Sequence, residues 1–300
     1  MNEINYYWVV AMPFIAALIG LTYMGIGRIF IARVQHRYGP PIFQNIIDVI
    51  KLYTKRTAIS HGVMFHLAPT LWLTGTITTL MFIPILVGNN PIYLFSFQGD
   101  VVFLIYIMVF GQLAMALGAG QSGNPNSAIG VSRGLTQMVG YEVPFVIALI
   151  ILMVQTGSAS LIDIVRAQDS VANWNIFRSP FAFIAAIFAY LGMMGNKPFD
   201  IYIAPAEIAS GPPSEFGGKY LAMMQTNGGM FAFAKLTLYT DLFLGGATNF
   251  AELLVKTFLL YLVQLAVGVV NPRFRTEQSM LFFWKIPTAI GLVGLILVIF

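Results

Sequence analysis

Apolar residues fall into eight blocks long enough to cross a bilayer, which takes about 20 mostly apolar residues of helix. The blocks cover approximately Tyr7–Phe30, Phe65–Val87, Val101–Ala119, Leu135–Thr156, Phe181–Gly195, Tyr220–Leu244, Leu253–Val270 and Leu281–Phe300. The fifth is short unless it runs on into Lys197-Pro198-Phe199. Pro13, Pro84, Pro144 and Pro287 fall inside blocks, where neighbouring helices can re-satisfy the backbone groups that proline frees. The pattern predicts an all-α polytopic membrane protein of about eight transmembrane helices, one membrane domain over 1–300. On one side the blocks are joined by loops at about 31–64, 120–134, 196–219 and 271–285.

Two loop segments show helical periodicity without the length to span. In Ile42–Thr54, Ile46, Ile47, Ile50 and Leu52 fall near one face, with Asp48, Lys51 and Lys55 at polar spacing. In Ser160–Gln168, Leu161, Ile164 and Val165 gather together, with Asp163 and Arg166 opposite. Both read as short amphipathic helices lying on the bilayer or on a partner. The chain shows no internal repeat and no separable soluble domain.

Composition agrees with the pattern. At 58% hydrophobic and 9% charged, the 300 residues lie far from soluble domains, which are about 25% charged. With no cysteine, the chain offers no disulfide, thiolate-held iron–sulfur cluster or cysteine zinc site. His36, His61 and His66 sit in or near one basic loop, where a solvated surface role outweighs metal binding. Glu3 precedes the first apolar run and no basic region leads it, so no cleavable signal peptide is expected.

Charge sets the orientation. One side of the predicted topology carries Arg28, Arg33, Arg37, Lys51, Lys55, Arg56, Arg133, Lys197, Lys219, Arg273, Arg275 and Lys285, and the other only Arg166 and Arg178. By the positive-inside rule the first side is cytoplasmic, which puts both termini outside a cell membrane. Membrane orientation also explains the pI near 9.2, so no nucleic-acid partner is inferred.

Ionisable groups at membrane depth are functional hypotheses by default. Glu142 lies just inside the cytoplasmic end of the fourth block, and Lys235 near the middle of the sixth. Linked by water, such groups make a proton relay. Glu252 and Lys256, four apart at the outer start of the seventh block, read as an interfacial pair with a snorkelling lysine. Asp100 and Asp241 belong to outer ends. The stretch from Lys197 to Lys219 holds Asp200, Glu207 and Glu215 among four prolines and several glycines, a stiff loop rather than a floppy linker.

Several motifs in order resemble the subunit 1 family of respiratory complex I. The first is Ala32-Arg33-x-Gln35-x-Arg37-x-Gly39-Pro40, followed by Gln44, Asp48 and Lys51-Leu52-x-x-Lys55. Next come Arg133-x-x-x-Gln137-Met-Val-x-Tyr141-Glu142-Val-Pro144 and Ser160-Leu-x-Asp163-Ile-Val. Pro198-Phe199-Asp200 follows, with Glu207, Gly211 and Glu215 at family spacing. The last are Leu242-Phe-Leu-Gly-Gly246, Pro272-Arg273-Phe-Arg275-x-x-Gln278 and Trp284-Lys285. The short step from Gly39-Pro40-Pro41 to Gln44, with Ser122-Gly123-Asn124-Pro125, is similar to the branch of membrane-bound, energy-converting nickel–iron hydrogenases and archaeal ferredoxin-dependent sulfur-reducing relatives. Ile203 and Pro205 stand where complex I carries acids, and an acid expected near Asn227 is absent. These departures point away from a quinone-reducing site.

The resemblance implies a non-catalytic membrane anchor that couples a peripheral redox module to antiporter-like, ion-pumping membrane subunits. The module would oxidise ferredoxin with iron–sulfur and nickel–iron centres held by other chains, a large and a small subunit, and this chain would hold no cofactor. Arg28, Arg33, Gln35, Arg37, Asp48, Lys51 and Arg133 are the expected docking residues, since guanidinium groups pair well with carboxylates and carbonyls. Asp200, Glu207 and Glu215 would respond at the rim, and Glu142 and Lys235 would carry protons inward. The alternatives are the equivalent subunit of a quinone- or phenazine-reducing complex I-like dehydrogenase, and a purely structural anchor without a proton path. A stand-alone transporter would need a repeat or broken helices, and the chain has no repeat.

Overall fold

A computed structural model describes residues 6–57, 61–88, 92 and 94–300. Glu3, which carries the signal-peptide reading, lies outside them. The helices in chain order are α1 (Tyr6–Val34), α2 (Gln44–Tyr53), α3 (Val63–Phe82), α4 (Asp100–Gly120), α5 (Pro125–Thr156), α6 (Leu161–Arg166), α7 (Asn175–Arg178), α8 (Pro180–Met194), α9 (Pro205–Ile208), α10 (Gly218–Phe243), α11 (Phe250–Val270) and α12 (Thr276–Ile299). The eight long ones, α1, α3, α4, α5, α8, α10, α11 and α12, match the eight predicted blocks. The protein is an all-α, multi-pass membrane protein.

Five of them (α1, α4, α5, α11 and α12) are long and apolar enough to cross a membrane by length and composition alone. α8 is shorter, and α10 departs for a physical reason. α10 is buried without interruption from Phe233 to Phe243, so protein rather than lipid surrounds it and it can carry Lys235, Thr237, Thr240 and Asp241. It packs on α1, α3, α2 and α11, while α5, α8 and α12 pack on one another. Tyr239 of α10 stacks on Phe145 of α5 and leans on Tyr190 of α8, joining the two groups. On the outside, Tyr7, Val10, Phe14 and Leu18 of α1 and Ile296 and Leu297 of α12 are exposed. Apolar side chains in such rows suit lipid rather than water.

Several boundaries and faces differ from the sequence reading. α3 stops at Phe82 because Pro84 forces Ile83 into extended backbone, so Pro84 lies outside the helix. α5 starts ten residues before Leu135: the Asn124 side chain accepts from the Asn126 N–H and Pro125 takes the first helical position. Most of the expected loop 120–134 is therefore helix, and Arg133 projects from it. α2 covers Ile46, Val49 and Leu52 and leaves Ile47, Ile50 and Lys51 exposed, so its apolar face is only partly the expected one, with Asn45 and Asp48 half-buried beside it. α6 has the expected two faces, with Asp163 half-buried and Arg166 exposed, and its apolar face rests on the bundle itself. Leu161, Ile162, Ile164 and Val165 are all buried, and the helix packs on α5 and α10.

Candidate functional site

A cavity of about 810 Å³ lies between α1, α2, α5, α10 and α11, with the Gly192–Ile203 stretch closing one wall. Most of its lining is apolar, from residues such as Leu21, Met24, Met138 and Leu265. Its polar groups come from opposite ends of the sequence: Arg28, Gln35, Asn45 and Asp48 from the basic block, Asp200 and Tyr202 from the loop after α8, and Lys235 from α10. Five residues singled out in the sequence thus share one space: Arg28, Gln35, Asp48, Asp200 and Lys235.

Arg28 donates to Asn45 Oδ1 at 2.7 Å and lies 3.9 Å from Asp48, which also accepts from Gln44 at 2.8 Å. α2 presents its Asn45 amide and Asp48 carboxylate to α1. Lys235 is buried. Its side-chain nitrogen donates to the Met193 carbonyl in the last turn of α8 and sits 4.2 Å from the Phe231 ring centroid. A donor at a helix C-terminus meets the negative end of the helix dipole. Gly195, in left-handed backbone, ends α8 there.

The acids at the rim are joined by arginines. Arg273 holds Asp200 through two 2.7 Å hydrogen bonds and reaches Glu207 at 3.1 Å, while Arg133 holds the other Glu207 oxygen at 2.7 Å. Hydrogen bonds from Arg133 and then Arg273 hold the Glu207 carboxyl below the usual range, and its carboxylate partners raise the Arg273 guanidinium. Enclosure and the nearby Asp200 carboxylate push the Tyr202 phenol up to about 12, so it is a neutral O–H at ordinary pH. Ala204, Ala209 and Ser210 in the same loop take left-handed φ values of 25°, 48° and 71°. Such backbone persists only where the surroundings fix it, and it gathers at functional sites.

The other predicted residues lie apart. Glu215 accepts from Asn124 at 2.6 Å and faces His61 at 3.7 Å, beside the Phe65–Phe216 stack. Glu142 is half-buried and lies outside the cavity lining; its neighbour Tyr141 faces the cavity and donates to Gln112 at 2.9 Å. Arg33 covers the Tyr38 ring, Arg37 donates to Gln35, and Lys51 is exposed, so these three form outer surface. Lys256 does not snorkel: it is 9% exposed, pairs with Glu252 at 2.7 Å and donates to the Leu244 and Gly246 carbonyls.

Sequence reasoning passed over several groups. Gln264 lines the cavity with both amide atoms unpartnered among the described residues, and so do Gln137 Oε1 and Trp72 Nε1. Polar atoms left open toward a cavity of this size suit water or a ligand. Gln264 interrupts an apolar helix, a clue present in the sequence. Arg273 belongs to a motif quoted above, yet nothing in its spacing names Asp200 as its partner.

The family described as NADH dehydrogenase matches residues 7–299. A subunit of the F420H2 dehydrogenase of Methanosarcina mazei is 29% identical, over 98% of this chain and 95% of that protein. A subunit of the NADH-quinone oxidoreductase of Geobacillus thermodenitrificans is 31% identical, over 90% of this chain and 83% of that one. A chain in the structure of an archaeal respiratory membrane complex, the membrane-bound sulfane sulfur reductase, is 36% identical. It superposes with a TM-score of 0.89 over 98% of this chain and 99% of that one. Agreement in sequence and fold along the whole chain makes it a membrane subunit of complex I-like oxidoreductases, in the NADH dehydrogenase (complex I subunit 1) family.

Proposed function

We propose that this chain anchors a peripheral ferredoxin-oxidising redox module, hydrogenase-like or sulfur-reducing, and couples its turnover to ion movement through antiporter-like subunits. The observation that carries this reading is the shared cavity. It joins the basic block at Arg28 and Asp48 to the Asp200–Arg273 pair and to the buried amine of Lys235. A partner resting on Arg33, Arg37 and Lys51 would sit beside Gln35 and Asp48, which line that space. Moving a loop carboxylate at the rim changes the field inside the cavity, where low polarity makes charge effects strong. The 36% identity to a sulfur-reducing complex supports the choice of branch. In this reading the basic side faces the cytoplasm, both termini lie outside, and the nickel–iron-type and iron–sulfur centres belong to the partner subunits.

A second reading, the equivalent subunit of a quinone- or phenazine-reducing dehydrogenase, draws on the largely apolar cavity and on the names of the Methanosarcina and Geobacillus relatives. Purification in gentle detergent, with identification of the co-purifying chains, separates the two. A nickel–iron-type large subunit supports the first; nucleotide- or quinone-linked partners favour the second. Coupling itself is tested by Glu142→Gln in vesicles, expected to uncouple ion pumping while redox turnover stays near normal. Unchanged ion transport would instead leave a purely structural anchor.

A further inference from the structure

Asp241, two residues before the end of α10, is fully buried, and neither of its carboxyl oxygens has a hydrogen-bond partner among the described residues. It does not line the cavity, and it lies six residues beyond Lys235, about 9 Å along the helix axis. The chain around it is built with care. Gln168 donates to the Asp241 and Leu242 carbonyls and accepts from the Gly245 and Asn175 N–H groups, so the backbone beside Asp241 is satisfied while its side chain is not. A buried polar group without a partner costs free energy, so a bare carboxyl here needs a reason.

Its surroundings are narrow and mostly apolar. Gly246, at a φ of 64°, leaves room for the carboxyl: a β-carbon there would lie 3.3 Å from Asp241 Oδ1, 2.8 Å from Val165 and 3.8 Å from Val87. The titratable groups that bear on it are Lys256 of α11, whose charge reaches the carboxyl, and Glu252 behind that lysine. Lys256 donates to Glu252 Oε1, Leu244 O and Gly246 O, each at 2.7 Å, and covers the Trp174 ring at 4.4 Å. Its three N–H donors are thus committed. Lys256 is thereby held in place, and the open valence at this site is the carboxyl.

We propose that Asp241 is a proton-binding site in the half of the bundle away from the cavity, with the Glu252–Lys256 pair as the charged group beside it. An O–H bond forms at Asp241 as one breaks on a hydrated donor; the proton leaves to water in the reverse step, and no electron moves. Its use in transport rests on the coupling role proposed above. The protonation itself does not.

The test uses the full complex in vesicles, with infrared difference spectra between acidic and alkaline buffer. Asp241→Asn should abolish one titrating carboxylic-acid carbonyl band, and Lys256→Gln should shift that same band. Asp241→Asn should also slow redox-driven proton transport by about 100-fold, the lower end of what one positioned proton-transfer group contributes, with Asp241→Glu restoring most of it. An unchanged spectrum in Asp241→Asn overturns the proposal. If that variant fails to assemble, a Lys256→Gln spectrum with no shifted carboxyl band overturns it instead. If Asp241→Asn transports normally while Lys235→Met does not, Asp241 has no place in transport; if both transport normally, the coupling role is what fails.

Discussion

Asp200 and Arg273 form a two-point ion pair, Nε to Oδ1 and Nη2 to Oδ2, each at 2.7 Å, which ties the loop after α8 to the segment entering α12. Both side chains are mostly shielded, at 16% and 20% exposure, so the pair is less screened than a surface bridge. The same guanidinium reaches Glu207, so one arginine organises the acidic rim of the cavity.

Replacing that fork removes its geometry as well as its charge. Arg273→Gln should cost about 2 kcal/mol, within the range for hydrogen bonds to charged groups. Arg273→Lys should recover less than half of this, because an ammonium cannot match the carboxylate at two points. Thermal unfolding in detergent checks both values. A loss below about 0.5 kcal/mol would mean the pair behaves as a surface bridge.

Glu207 sets an acid dependence of known sign. Its carboxyl is held below the ordinary range by Arg133 and Arg273. Its contribution is therefore complete above the ordinary glutamate value of about 4.3 and fades as pH falls through the lower folded-state value. The slope of unfolding midpoint against pH should flatten in that window in Glu207→Gln. High salt should shrink the difference, since Glu207 is exposed.

Lys235 separates stability from transport. Lys235→Met replaces a buried amine with an apolar side chain of similar length, so unfolding free energy should be unchanged or raised by about 1 kcal/mol. Ion transport in vesicles should fall sharply. Normal transport together with normal assembly would remove Lys235 from any proton path.

Helices α1 and α10 meet at Gly20 and Gly229. A β-carbon on Gly20 would lie 1.9 Å from the Gly229 carbonyl oxygen, a backbone atom that cannot swing aside. Gly20→Ala must therefore move the helices apart and should destabilise by about 2–3 kcal/mol, as overpacking does. Thermal unfolding and the yield of assembled protein measure it. Because α10 carries Lys235, the cavity should widen as well.

Much of this molecule can be read along the chain. All eight long helices fall on the predicted blocks, since about 20 apolar residues identify a span whatever surrounds them. Arg28, Gln35, Asp48, Asp200 and Lys235 stand out as candidates in the sequence, without the cavity that gathers them. The approach of Asp48 to Arg28, the seating of α6 on α5 and α10 and the commitment of Lys256 to two carbonyls are not legible there. Each depends on which helix lies alongside, and helical periodicity gives a face without naming its neighbour.

The sequence by itself determined membrane class and the positions of the eight long helices, because the cost of apolar and charged groups in a bilayer is set by composition over a short window. The tertiary structure alone decided that Arg273 joins Asp200 to Glu207, that the cavity unites residues more than 200 positions apart, and that the Asp241 carboxyl has no hydrogen-bond partner among the described residues. Those are relations between helices. They follow from close packing, at points such as Gly20 on Gly229, where one missing side chain sets the distance between two segments.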